Sequence, residues 1–265
     1  MAAGYDIWEM AVLPMLTNNA ECWQDVSSNT IQELDKLQNM FLRCLFAVGS
    51  GCPIPALYWE TGTIRMEYKI LQKKLLFLHH VATLPDTALA KEIYIVQTEL
   101  ALPGLVKECN EFLVKSGITS IHNYSKGQWK HLVKTKIAEL NKDDLLTQIR
   151  GRYKKLSVEK LKGESCKIKP YLSNHNLADA RLRFKINSEM TPTVKMNFQS
   201  DIEYTREMWA CPGCSSSGDV LGCRDTQRHI MVCPGYDSFR QDKDLSQDKD
   251  IVQYFQQVIK HRLDN

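Results

Sequence analysis

The most constraining feature of this sequence is a pair of short cysteine motifs near its carboxyl end. Cys211-Pro-Gly-Cys214 is followed, across a loop rich in Ser and Gly, by His229 and Cys233. Two thiols separated by two residues lie on one tight turn, and a His and a Cys four residues apart lie on one face of a helical turn. The four side chains can converge on one tetrahedral ion, so the spacing predicts a zinc site.

The same motifs favour a structural ion over a catalytic one. Four protein ligands leave no open position for water, and no Glu adjoins His229 to act as a general base. Pro212 and Gly213 allow the short turn that points both sulfur atoms inward. Cys223, inside the loop, is an alternative fourth ligand that would give an all-thiolate site; a compact helix bearing His229 favours the histidine.

The nine cysteines do not indicate a secreted disulfide framework. Their number is odd, several fall on apolar helical faces, and the first residues lack the succession of basic, apolar and small residues found in export signals. No apolar run is long enough to cross a bilayer. We therefore expect reduced thiols in an intracellular protein, in the nucleus or cytoplasm, without a membrane partner.

Charge is distributed unevenly along the chain. Residues 150–195 contain twelve Lys and Arg against four Asp and Glu, a net charge of +8, whereas the part before carries −2 and the part after carries −3. A basic middle between mildly acidic ends predicts a surface for an anionic partner. A merely solvated basic segment is an equally good interpretation of the charge alone.

Hydrophobic periodicity predicts a mostly α-helical chain. Helices are expected from Asn29 or Thr30 to Val48, over residues 66–82, 88–97 and 104–115, and after a capping box at Ser125-Lys-Gly-Gln128. Asp143 or Asp144 is expected to begin a further helix.

The carboxyl third is expected to contain two more helices. Asn176 can cap a helix, and a terminal helix near Ser246 or Asp248 carries an apolar stripe that needs a partner surface. Alternation of apolar and polar side chains over residues 193–198 predicts a β-strand. The expected organisation is a helical region over 1–149, a basic linker over 150–175, and a zinc-binding module with a terminal helix over 176–265.

Several segments resemble the part that follows the polymerase palm in non-LTR (LINE-type) retrotransposon reverse transcriptases. They are residues 33–43 (ELDKLQNMFLR), 55–62 (PALYWETG) and 70–80 (ILQKKLLFLHH). Residues 12–23 (VLPMLTNNAECW) are similar to the end of the palm and the entry to the thumb. Residues 225–236 (DTQRHIMVCPGY) are similar to the carboxy-terminal Cys-Cys-His-Cys motif of the same polyproteins.

The resemblance implies a thumb-like helical region joined to a zinc module, with residues 1–26 as the end of a palm. The metal-binding aspartates of the polymerase would lie before Met1, and no endonuclease motif is present, so the implied role is not enzymatic. In that family these parts grip template RNA or target DNA, and the rest of the polyprotein is a further expected partner. Phosphate contacts are expected from six cations: Arg150, Arg152, Lys154, Lys155, Arg181 and Arg183.

Two alternatives stay open at this stage. The chain can be a zinc-stabilised protein-interaction module that docks through its terminal helix and the region around Trp8. It can also be a retroelement remnant without function.

Overall fold

The computed structural model describes residues 2–24, 26–118, 120–152, 168–174, 176–188, 190, 211–216 and 227–264. Within them the fold is mostly α-helical, as predicted, and no β-strand occurs. A π-helical turn (Trp8–Val12) separates the first two helices. The helices are α1 (Ala2–Ile7), α2 (Leu13–Leu16), α3 (Ser28–Phe46), α4 (Ile54–Thr61), α5 (Met66–Ala82), α6 (Leu89–Glu99), α7 (Leu105–Lys115), α8 (Lys126–Arg152), α9 (Tyr171–Asn174), α10 (Leu177–Asn187), α11 (Pro212–Ser216), α12 (Gln227–Ile230), α13 (Asp237–Arg240) and α14 (Asp248–Asp264).

Helix boundaries follow the predictions where a strong cap or a strong apolar period is present. Helix α5 has the predicted bounds, and the capping box forms before α8: Gln128 accepts from the Ser125 backbone N–H at 2.9 Å. Helix α3 begins earlier than predicted, because the Ser27 hydroxyl accepts from the Thr30 backbone N–H at 3.1 Å. Ser27 is therefore the N-cap, in place of Asn29 or Thr30.

Helix α8 is longer than predicted, and the expectation of a new helix at Asp143 or Asp144 is wrong. The helix runs without a break from Lys126 to Arg152. Asp144 instead accepts from the guanidinium of Arg65 at 2.8 Å, and Asn141 accepts from the Arg65 backbone N–H at 3.2 Å. Both side chains are therefore used to hold α8 against the start of α5.

Helix α4 is a buried element that the sequence did not reveal. Every residue from Pro55 to Thr61 is buried. The helix has no exposed polar face to create a period of 3.6 residues, so its pattern resembles a continuous apolar run. Two prolines at its beginning are compatible with a helix start, where the missing backbone N–H is not needed.

The helical region is stabilised by packed apolar side chains. Trp129 of α8 is 1% exposed, and its indole N–H donates to the carbonyl oxygen of Leu75 in α5 at 3.0 Å. Its ring also stacks on His79, with the ring centres 5.5 Å apart. Trp8 itself is buried and stacks on Phe41 at 4.6 Å, whereas Ile7, Met10 and Met15 around it are exposed, so a docking surface in this region stays a prediction.

Helices α9 and α10 connect the helical region to the carboxyl-terminal module. Phe184 of α10 packs against Phe46 with ring centres 4.0 Å apart, while Ile186, two residues later, belongs to the core of the module. The buried Glu60 of α4 accepts from the Tyr171 hydroxyl at 2.7 Å and from the Asn187 amide at 3.3 Å. The end of the segment predicted as a linker is thus packed against α4.

The terminal helix has an intramolecular partner for its apolar stripe. Ile251, Tyr254, Phe255 and Val258 are buried in one cluster with the cysteines at 211, 214 and 233. This stripe is consequently not a free docking face. No helix in the described parts of the chain is long and apolar enough to cross a membrane.

Candidate metal centre

The four predicted ligands meet in the structure at one point. The Sγ atoms of Cys211 and Cys233 are 3.7 Å apart, those of Cys214 and Cys233 are 3.5 Å apart, and Cys214 Sγ lies 3.2 Å from Nε2 of His229. All four ligand atoms fall within 4.8 Å of one another. The three cysteines are buried and His229 is half-buried, so this group could hold a metal ion.

These distances fit a tetrahedral ion. With metal–sulfur bonds of about 2.3 Å and metal–nitrogen bonds of about 2.0 Å, the ligand atoms of a tetrahedral site stand about 3.8 Å and 3.5 Å apart. A disulfide would bring two sulfur atoms to about 2.05 Å, and all described cysteines are free. Cys223 lies outside the described residues, so its role as an alternative ligand stays a prediction.

Two Pro-Gly pairs, Pro212-Gly213 and Pro234-Gly235, let the two turns that carry the cysteine ligands touch. These turns, residues 211–214 and 233–236, are called the ligand-bearing turns below. A Cβ atom at Gly213 would lie 2.7 Å from Cζ of Tyr236 and 3.1 Å from Sγ of Cys233. A Cβ atom at Gly235 would overlap the carbonyl group of Gly213. Only glycine fits at either position, because backbone and ring occupy the space of any side chain. The two turns therefore pack back to back, which brings Cys214 and Cys233 together.

Two arginines hold the ligand-bearing turns in place. Arg262 of α14 donates from Nε to the Tyr236 hydroxyl at 2.9 Å, lies over its ring, and places Nη2 at 3.9 Å from Sγ of Cys211. Arg240 of α13 donates to the carbonyl oxygens of Met231 and Cys233 at 3.2 and 2.9 Å. The sequence motif gave no sign of these arginines, because they lie outside it and meet it only in the fold.

Burial affects the titratable groups at this centre. Burial raises the pKa of the Cys233 thiol, and it raises the pKa of Tyr236 to about 12. A buried site of this kind disfavours the charged thiolate form of cysteine unless a nearby positive charge stabilises it. A bound cation supplies that charge, and Arg262 adds a positive charge beside Cys211. The donor set of three thiols and one imidazole fits a metal cation, and thiolate ligands at this buried centre would depend on the positive charge of that cation.

Of the six predicted basic contacts, Arg150, Arg181 and Arg183 have side chains that the structure describes. Arg150 is exposed near the end of α8. Arg181 donates to the backbone oxygens of Leu45 and Cys44, and Arg183 forms an ion pair with Asp248 at 2.6 Å. Those two guanidinium groups would have to leave intramolecular partners to contact a phosphate. The side chain of Arg152 and the whole of Lys154 and Lys155 lie outside the described residues.

Comparisons of the chain with protein-family models, with curated proteins and with solved structures give no match.

Proposed function

We propose that this chain is a non-catalytic, nucleic-acid-binding portion of a non-LTR retrotransposon reverse transcriptase, shaped at its carboxyl end by a zinc ion. The observation that carries the proposal is the convergence of Cys211, Cys214, His229 and Cys233 within 4.8 Å. These residues belong to the motif on which the resemblance to that family depends at this end of the chain. The helical region before it agrees in class with a thumb-like domain.

Zinc is the proposed ion because of the ligand set. Three thiolates and one imidazole are soft to intermediate ligands, and a tetrahedral arrangement of sulfur and nitrogen is typical of zinc. A closed set of four protein ligands makes the role structural. Elemental analysis of the protein purified under reducing conditions is expected to give one zinc per chain, and a chain with iron in its place would contradict this part of the proposal.

The proposed contacts with nucleic acid are electrostatic. Arg150, Arg152, Lys154 and Lys155 begin the segment of highest positive charge and are the main candidates, because Arg181 and Arg183 have intramolecular partners. Phosphate contacts made by such cations give affinity that falls steeply with salt and depends little on sequence. RNA and DNA are both proposed as partners.

A salt titration tests the proposal. Binding of the zinc-loaded chain to single-stranded RNA and to duplex DNA is measured by fluorescence anisotropy, with a variant in which those four cations are replaced by Gln. We expect tight binding at low salt and a large loss in the variant. A control variant, Lys36→Gln with Lys115→Gln, removes exposed lysines of α3 and α7 and is expected to bind like the parent protein. Absence of binding at low salt would refute the proposal.

One observation favours a second candidate, a protein-interaction module. Helix α6 has no buried residue, and an apolar stripe along it is exposed: Leu89 by 70%, Ile93 by 48%, Val96 by 46% and Leu100 by 65%. Apolar stripes of this kind normally pack against a partner. Sedimentation velocity separates the candidates, because a salt-insensitive oligomer without affinity for nucleic acid would favour this second function.

A further inference from the structure

One strip along helix α6 is apolar and faces solvent. It consists of Leu89, Ile93, Val96 and Leu100, which follow one another at intervals of four, three and four residues. At about 100° per residue, these positions lie within about 60° of the helix circumference. The same alternation of three and four occurs in the apolar seam between two packed helices. This surface, called the α6 strip below, therefore has the form of one half of a helix–helix contact.

The side of α6 that faces the rest of the protein is more polar than the strip. Its half-buried residues are Lys91, Tyr94 and Gln97. Lys91 donates to the carbonyl oxygen of Ala82 at the end of α5, and its Nζ lies 5.5 Å from the ring centre of Tyr94. A surface helix normally has the reverse arrangement, with apolar residues inward and polar residues outward. The α6 strip is therefore suited to a partner outside the described fold.

A groove between α6 and α7 adjoins the strip. It has a volume of about 590 Å³, and the apolar part of its lining consists of Ala101, Leu102, Val106 and Val114. Ala101 follows Leu100 directly, so the groove begins where the strip ends. Apolar strips of helices dock into apolar grooves in many protein complexes. The chain thus carries both halves of such a contact, a helix with an apolar strip and a groove to receive one.

Two carboxylates border the α6 strip on the side away from the groove. Glu92 and Glu99 are both exposed, and they lie about 20° apart around the helix. Gln97, which lines the groove, lies across the strip from them, at about 150° around the helix. The strip therefore has an acidic edge that points away from the α7 of its own chain.

Two lysines on α7 match this acidic edge in charge and spacing. Lys107 and Lys115 line the groove with Glu111 between them, so this wall carries a net charge of +1. The two lysines are eight residues apart, or about 12 Å along the helix. Glu92 and Glu99 are seven residues apart, or about 10 Å. A second α6 that lies with its strip on the groove has an acidic edge of matching spacing for these lysines.

We propose that the α6 strip of one chain docks on the groove of a second copy, in a two-fold dimer. Glu92 and Glu99 of each copy then face Lys107 and Lys115 of the other, and the pairing occurs twice because a two-fold contact is isologous. The chain itself supplies a helix whose strip and charged edge fit the groove, so a second copy is the occupant that these charges favour.

This inference is independent of nucleic-acid binding, and it names the partner that the second candidate function leaves open. Helices α6 and α7 have 11 residues each and are therefore about 16 Å long. The contact is small for a protein–protein interface, so we expect a weak dimer with a Kd on the order of 10 µM.

Sedimentation equilibrium of the zinc-loaded full chain tests the apolar part of the contact. The strip variant is Ile93→Ser with Val96→Ser, and the matched control is Leu37→Ser with Met40→Ser, which replaces exposed apolar residues at the same spacing on α3. Circular dichroism and zinc content check that both variants stay folded. We expect the strip variant to raise the Kd at least about 30-fold and the control to change it less than about 3-fold.

A charge exchange tests which surfaces meet. The variants E92K/E99K and K107E/K115E each place like charges at both contacts, and each is expected to raise the Kd at least about 10-fold. An equimolar mixture of the two variants restores opposite charges at both contacts. The mixture should therefore form dimers with an affinity near that of the parent protein, whereas either variant alone should not.

Three outcomes overturn the inference. A parent chain that is monomeric at about 200 µM, about 20 times the expected Kd, leaves the α6 strip to a different protein. Equal effects of the strip variant and its control place the dimer contact elsewhere. A mixture of the exchanged variants that dimerises no better than either alone overturns the pairing of α6 with α7. None of these results affects the proposed function, because nucleic-acid binding is measured separately, and a chain that binds no nucleic acid leaves the dimer intact.

Discussion

The helical region and the carboxyl-terminal module bury their side chains by different means. In the helical region, α5, α7 and α8 surround large apolar side chains such as Trp129, Phe112 and Leu75. In the module, the cluster around Tyr254 and Phe255 includes three cysteines whose sulfur atoms face one another. The core of the first region consists of apolar side chains, whereas the second contains a polar cluster that could hold a metal ion, and under the proposal that ion supplies part of the stability of the module.

This difference predicts which changes affect each region. Loss of a metal ligand should destabilise the module, and loss of an apolar side chain from the core of the helical region should destabilise that region. Helix α10 is the point at which the two effects can meet, because Phe184 packs in one core and Ile186 in the other.

The largest effect is expected for Cys233→Ser. Structural zinc sites contribute on the order of 10–16 kcal/mol in apparent binding free energy, and a missing thiolate removes most of it. The variant should retain little zinc and lose the packing of α14 on the ligand-bearing turns, which elemental analysis and limited proteolysis can measure. Cys22→Ser is the matched control, since that thiol is exposed and distant in sequence from the centre. A Cys233→Ser protein with one zinc per chain would contradict the ligand assignment.

Trp129→Ala should have the next largest effect, and it should act on the helical region. Removing this buried indole leaves a cavity and deletes its hydrogen bond to the Leu75 carbonyl, at a cost of about 3–5 kcal/mol. Urea unfolding followed by circular dichroism measures the loss. Zinc content measured in the same samples should stay near one per chain, and a parallel loss of zinc would show that the two regions are not separable.

Arg262→Gln should weaken metal binding without abolishing it. This arginine orients Tyr236 and lies near the Cys211 sulfur, and outer partners of metal ligands typically contribute 10–100-fold in affinity. Competition with a chromophoric chelator measures the change. Lys260→Gln, on the same helix but exposed, should bind metal like the parent protein. Equal metal affinities of the Arg262→Gln and Lys260→Gln variants would contradict a contribution of Arg262 to metal binding.

The smallest effect is expected for Glu60→Gln, at the contact between α4 and α9. Burial raises the pKa of Glu60 above its ordinary 4.5, although hydrogen bonds from Tyr171 and Asn187 oppose the shift. The folded state then holds a proton that the unfolded state releases, so the free energy of unfolding falls as pH rises from about 4.5 through the raised pKa.

The Gln variant cannot lose this proton, so its stability relative to the parent should increase with pH over that range. The difference amounts to about 1.4 kcal/mol for each unit by which the pKa is raised. Paired urea titrations at several pH values give the difference directly. A constant difference across the range would mean that Glu60 titrates in the folded state as it does in the unfolded chain.

Local signals in the sequence predicted part of this fold. The capping box at Ser125 and the strong period of α5 gave correct helix starts, because both depend on neighbouring residues. The Cys211–Cys214 and His229–Cys233 spacings likewise predicted that three thiols and His229 meet at one point, since each pair lies on one short turn.

The features that the sequence did not predict depend on contacts between residues that are far apart in the sequence. Asp144 has the appearance of a helix cap in the sequence, yet it pairs with Arg65, 79 positions away, inside a continuous helix. Arg181 has the appearance of a surface cation, yet it donates to the backbone of α3. Arg262 reaches the metal centre only because α14 packs on the ligand-bearing turns. Single-sequence patterns contain no information on such pairings.

Hydrogen exchange on the full chain, with zinc bound and after removal by a chelator under reducing conditions, tests the central claim most directly. From the sequence, metal removal is expected to unfold residues 209–236 and spare the earlier helices. The structure extends this to α14, because Ile251, Tyr254 and Phe255 are buried against the ligand-bearing turns. We predict that peptides from 211–216 and 227–264 lose protection while those from α5 and α8 keep it. Unchanged protection of the module after metal removal would contradict the account.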